Sequence, residues 1–257
     1  MKAGAAKLAL LAALAVLPGV KAEDGAALFE QGVQAYTGEN YERAIELFDK
    51  AVAAQPGASA YYLWLGRAYG RRAERVNRLR ALGLARKVRA SFERAVELDG
   101  NNIQALSDLL EFYLEAPGFV GGGEDKAQEI ASRLAKLSPA EGHRAQAAIL
   151  TKQKNYAGAE GELRRALALE PDKIGRLLDL ASFLYQRGRY AEADELFDRA
   201  AKLNPDSPDL LFARGKELAL AKRDPGRARL LLERYLRAAR NPDDPPPSEV
   251  QALLRKL

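Results

Sequence analysis

The sequence predicts an all-α protein: about six helical hairpins stacked into a solenoid and closed by a short C-terminal helix. Three observations predict it. A seventeen-residue phrase occurs three times, as NYERAIELFDKAVAAQP at 40–56, NYAGAEGELRRALALEP at 155–171 and RYAEADELFDRAAKLNP at 189–205. The last two copies stand 34 positions apart, a spacing that suits one two-helix unit. Each copy also follows another segment of helical character, so the phrase is the second half of a hairpin.

The first 22 residues stand apart from this pattern. Met1-Lys2 and Lys7 give a basic start, LALLAALAV (8–16) is a short apolar run, and Pro18-Gly19 precedes a cut expected after Ala22. The run is shorter than the roughly 18 apolar residues that cross hydrocarbon, so it reads as a cleaved secretory signal peptide, with a retained anchor as the alternative. No second such run follows, so no membrane span is expected after cleavage. The expected location is exported, either the bacterial periplasm or secreted. The chain has no cysteine, which excludes disulfides, thiol catalysis and a lipid-modified cysteine after the signal. Three of its 40 bases (Lys2, Lys7, Lys21) and none of its 35 acids fall in the signal, leaving 37 bases against 35 acids. A near-neutral mature chain gives no support to nucleic-acid binding.

Within the phrase, Ala44, Phe48 and Ala51 lie at i, i+4 and i+7, one stripe of a helix. Small residues on either side of a large one let a neighbouring helix approach closely while the ring fills the gap. Pro56 cannot continue the helix and disfavours helical geometry in Gln55. The later copies keep the parts: Ala159, Leu163, Ala166 and Pro171, then Ala193, Phe197, Ala200 and Pro205. The preceding helices each carry a small residue, Gly32, Gly66, Ala147 and Ala181.

A 34-residue two-helix unit with these residues resembles the tetratricopeptide repeat (TPR) family, which implies a right-handed superhelical solenoid. On that pattern the solenoid occupies 23–240, with units at about 25–58, 59–101, 102–139, 140–173, 174–207 and 208–240. The second unit holds about ten extra residues, read as a lengthening of both its helices, with Gly100 in place of the proline. The third carries about five extra around Gly118–Gly123, and the sixth is degenerate, turning at Asp224-Pro225-Gly226. NPDDPPP (241–247) is a rigid linker, and the helix after it, ending by Leu257, caps the array.

One hairpin cannot bury its stripe alone; stacking buries it and coils the array around a long concave face. The resemblance implies that first helices line this groove and that a protein or peptide partner lies there. Carried over, the groove residues are Arg67, Arg71, Asp108, Glu111, Arg144, Lys152, Ser182 and Tyr185. The Lys and Asn pair with which one TPR class grips a terminal carboxylate is absent from these helices.

Residues 67–94 hold ten bases against Glu74 and Glu93. Arg67, Arg71, Arg75 and Arg78 are expected on one stripe of a lengthened helix, and Arg71, Arg72, Arg75, Arg78 and Arg80 form the basic patch. Such a patch attracts an acidic protein segment, anionic lipid or nucleic acid. The plainer reading is a solvated face answered by Asp108, Glu111 and Glu115. Export and the lack of exposed aromatics for base stacking argue against nucleic acid. GFVGGGEDK (118–126) lacks the preceding strand and the Lys-Ser/Thr of a phosphate cradle, and reads as a flexible loop with Phe119 and Val120 at its tip. His143 is the only histidine, with no cysteine to share a metal, and Trp64 reads as a packing residue. No nucleophile, base and oxyanion set is present, so neither catalysis nor a cofactor or metal is expected. The sequence thus predicts a non-catalytic exported scaffold that binds protein through its groove. The alternative is polyanion or anionic-surface binding through the Arg-rich helix.

Overall fold

The computed structural model describes residues 22–238 and 241–257. The expected signal peptide lies outside the described residues except for Ala22, which opens the first helix. Thirteen α-helices follow, and no strand occurs among the described residues.

The helices pair along the chain: α1 (Ala22–Thr37) with α2 (Tyr41–Ala54), α3 (Ser59–Ala73) with α4 (Arg78–Leu98), and α5 (Ile103–Glu115) with α6 (Glu124–Leu137). The series continues with α7 (Pro139–Lys152) and α8 (Tyr156–Leu169), α9 (Ile174–Gln186) and α10 (Tyr190–Leu203), and α11 (Pro208–Leu220) and α12 (Pro225–Arg237). Helix α13 (Pro247–Leu254) packs on α11 and α12, burying Val250 and Leu253. Local chemistry sets many starts. The side chains of Asn40, Asn77, Asn102, Ser138, Asn155, Ser207 and Asp224 each accept from a backbone N–H in the first turn, a cap worth about 1 kcal/mol.

The stripes do what their spacing requires. Ala44, Phe48, Ala51, Ala193, Phe197 and Ala200 are wholly buried. Buried side chains form two core clusters, one running from Tyr36 to Ile149 and the other from Ala147 to Leu253, which overlap at α7. The carbonyl at the end of one hairpin is also tied to the next. Arg133 donates to Gly100 O, Arg199 to Pro171 O and Arg234 to Pro205 O. The terminal proline therefore does more than stop a helix: its carbonyl is a docking point for the following unit.

The close approach is equally tight in the first two hairpins, where Gly32 faces Phe48 and Gly66 faces Phe92. A Cβ on Gly66 would lie 2.5 Å from Cε1 of the buried Phe92. Gly66→Ala is expected to lower stability by up to about 2 kcal/mol, because overpacking costs about 1–3 kcal/mol and better helix propensity returns about 1. A urea titration checks this. An unchanged midpoint would mean that α3 and α4 part without cost, as α9 and α10 accommodate Ala181.

Four expectations need correction. The extra length of the second unit goes to one helix: α4 has 21 residues, against 14 in α2, while α3 has 15. Asn77 caps α4, so Arg75 lies in the turn and Arg78 on a different helix from Arg67 and Arg71. The four arginines do not share a stripe. The Gly-rich segment is pinned instead of loose: it forms a 3-10 turn over Gly118–Val120, Lys126 donates to Gly121 O and Arg89 to Val120 O. Val120 is buried there, and only Phe119 of the pair is exposed. Tyr185 faces the core, 2% exposed, against Tyr190 and Phe197.

Candidate functional site: the concave groove

First helices α5, α7, α9 and α11 line a groove whose cavity volume is about 1190 Å³, with Pro245 at its rim. Of the predicted residues, Asp108, Glu111, Arg144, Lys152 and Ser182 lie on it. Arg67 and Arg71 line a smaller adjoining recess of about 360 Å³ with Asp108 and Glu111, and Tyr185 lies on neither. Leu110, Leu178, Phe183 and Phe212 form an apolar floor that the sequence reading did not single out. These positions double as core contacts, so their hydrophobicity looks like packing alone.

Helix spacing places the polar wall. Arg144 Nε donates to Glu141 at 2.9 Å and its terminal nitrogen to Ser107 Oγ at 3.2 Å, holding the guanidinium between α5 and α7. Lys152 pairs with Glu115 at 3.2 Å across the same two helices. Arg67 clamps Asp108 through two nitrogens, at 2.6 and 3.4 Å. Desolvation within the groove pushes the carboxyls of Glu111 and Asp179 above their ordinary range. Asp108 adds to the effect at Glu111, whereas Arg144 and Arg176 oppose it at Asp179. Desolvation likewise raises Glu217, beneath Gln186 and Ser182.

Carboxylates already answer much of the basic patch. Arg71 pairs with Glu74 at 3.3 Å and Glu249 at 3.8 Å, Arg72 with Glu42 at 2.6 Å, and Arg75 with Glu39. Arg78 and Arg80 remain exposed at the start of α4. Of the acids expected to neutralise the patch, Asp108 pairs with Arg67, while Glu115 pairs with Lys152. The first hairpin, through Glu39 and Glu42, and the C-terminal helix, through Glu249, supply most of the neutralisation. Trp64 packs edge-on to Tyr36 at 5.2 Å, with Arg67 over its ring at 5.1 Å. His143 Nδ1 lies 2.6 Å from Glu162. No group of three or more metal-ligating side chains occurs among the described residues, and no described helix is long and apolar enough to cross a membrane.

The tetratricopeptide repeat family models match residues 2–59, 29–76 and 150–216. A tetratricopeptide repeat protein from Parabacteroides merdae superposes with a TM-score of 0.61 over 91% of this chain and 84% of its own, at 14% identity. A thermophilic TPR protein of Thermus thermophilus superposes with a TM-score of 0.56 over 76% of this chain and 98% of its own, at 23% identity. The chain belongs to the tetratricopeptide repeat family. TPR proteins generally mediate protein–protein interactions, and the TPR fold is generally non-catalytic. The structural likenesses, at such identities, show the TPR fold alone. In sequence, the chain is 36% identical over 136 residues to cellulose synthase 2 operon protein C of Komagataeibacter xylinus. That match takes in 51% of this chain but spans only 10% of the relative's length.

Proposed function

We propose that this chain is an exported, non-catalytic TPR scaffold that captures a segment of another protein in the groove between α5, α7, α9 and α11. The observation that carries the reading is the combination of volume and lining in that groove. Its floor is apolar, and polar groups held by hydrogen bonds stand along its walls. This arrangement suits a helix or extended strand that buries apolar side chains and orients itself by a few polar contacts. Export rests on the leader reading of residues 1–22.

Polyanion binding is the weaker reading, because Arg71, Arg72 and Arg75 are committed to carboxylates within the chain. A polyanion would have to displace those pairs, and its binding would collapse between low and moderate salt.

Filling the groove separates the two readings. Ala148 lies on the groove and is exposed, so Ala148→Trp should plug the cavity without entering the core. Co-purification of the partner from an envelope extract should fall at least about tenfold, with an unchanged melting temperature. Retention of the same partner by the plugged chain would place its contact elsewhere.

A further inference from the structure

The linker and last helix make contacts that capping does not require. Val250 and Leu253 anchor α13 to the last hairpin, and the Tyr235 hydroxyl donates to Pro245 O. Just before that anchor, the chain touches the opposite end of the array. The Ser248 backbone N–H donates to Glu39 Oε1 at 3.0 Å, its hydroxyl donates to the other oxygen of the same carboxylate, and Arg75 donates to it as well. Glu39 lies in the turn between α1 and α2, 209 residues away in sequence. Two further pairs follow the linker: Asp243 with Arg67 at 3.5 Å and Glu249 with Arg71 at 3.8 Å.

The backbone at Glu39 follows a turn that recurs along the array. Its φ is +60°, in the left-handed region that an L side chain adopts at a cost. The corresponding turns of the fourth, fifth and sixth hairpins place Lys154, Gly188 and Lys222 at φ +61°, +77° and +53°. The conformation belongs to the turn; what sets the first turn apart is that its side chain is a carboxylate, which accepts from Ser248 and Arg75. The fixed backbone angles of Pro245, Pro246 and Pro247 stiffen the span between the two anchors.

We propose that residues 241–250 form a clasp, an acidic proline-rich strap that joins the last hairpin to the first and closes the solenoid into a ring. The clasp deepens the groove reading, on which its functional meaning rests. It fixes the width of the ring around the bound segment and occupies the basic face of Arg67, Arg71 and Arg75 with the chain's own acids. An acidic partner segment would have to displace it.

The natural absence of cysteine makes the test direct. Nitroxide labels on Glu30→Cys in α1 and Arg229→Cys in α12 report the distance between the two ends of the full chain, and neither exposed site touches the clasp. The unaltered clasp should give one narrow distance distribution. Glu39→Gly, which removes the carboxylate while suiting the turn, should shift it to longer and broader distances and speed Ser248 amide exchange about tenfold. Asp243→Asn with Glu249→Gln should do the same from the other side, and circular dichroism confirms that both variants stay helical. A broad distribution in the unaltered chain, or one that neither variant moves, would overturn the clasp. No partner is used in the measurement, so its failure leaves capture in the groove to be judged separately.

Discussion

Replacing Phe197 by alanine is expected to destabilise the protein by about 3–5 kcal/mol, the range for deleting a fully buried aromatic ring. The ring is 0% exposed at the centre of the fifth stripe, between Ala193 and Ala200. Tyr185 approaches it edge-on at 6.3 Å, and the Arg214 guanidinium lies 5.5 Å from its centre. Arg214 is itself buried and pairs with Asp194 at 3.0 Å and Asp198 at 2.7 Å, so the loss reaches into the sixth hairpin. In a stack of hairpins each unit is held chiefly by the units it packs against. Hydrogen exchange should therefore accelerate in α9 to α13 more than in α1 to α4. Uniform acceleration along the chain would show an all-or-none unit instead.

The second large effect is expected at Arg176. It is 4% exposed and joins three helices: it pairs with Glu141 at the start of α7, Glu170 after α8 at 2.7 Å, and Asp179 on α9 at 3.3 Å. Arg176→Met keeps the bulk and removes the charge, leaving partly buried carboxylates with Arg144 and Lys173 alone. A loss of about 3–5 kcal/mol at neutral pH is expected from breaking such a set on one side. Adding Glu141→Gln should restore part of it.

The pH dependence has a definite sign. Desolvation pushes Glu141 upward, but hydrogen bonds from Arg144 and Arg176 outweigh it and hold the carboxyl below its ordinary value. Glu170 is lowered in the same way: desolvation opposes, and Arg176 prevails. Carboxyls with depressed folded values stabilise the fold above their unfolded range, and this stabilisation fades as pH falls through the folded values. Asp179, raised by desolvation, works in the opposite sense. The natural chain should lose stability in acid below about pH 4. Arg176→Met removes the hydrogen bonds that depress Glu141 and Glu170, so its acid loss should flatten or reverse in urea titrations across pH.

The hairpins were legible because their signals are local and repeated. Ala44, Phe48 and Ala51 recur at fixed spacing and disappear from solvent together. The second unit was harder to read. Arg-rich sequence from 67 to 77 is compatible with helix throughout, and the interruption depends on Asn77 capping α4 through Arg80 N–H. Tyr185 fits the periodicity of either face of α9, and its burial depends on Tyr190 and Phe197 of the next helix. The contact between Ser248 and Glu39 had no local signal at all, since it exists only once six hairpins have curved far enough to bring the ends together. A left-handed glutamate in a turn is visible only in the folded backbone.

Cross-linking from defined positions shows whether a partner lies in the groove. A photoreactive residue at Ser182, on the groove, should form adducts with the partner. The same residue at the exposed Glu195, on a second helix outside the groove lining, should form none. Adducts from Glu195 with none from Ser182 would place the partner outside the groove.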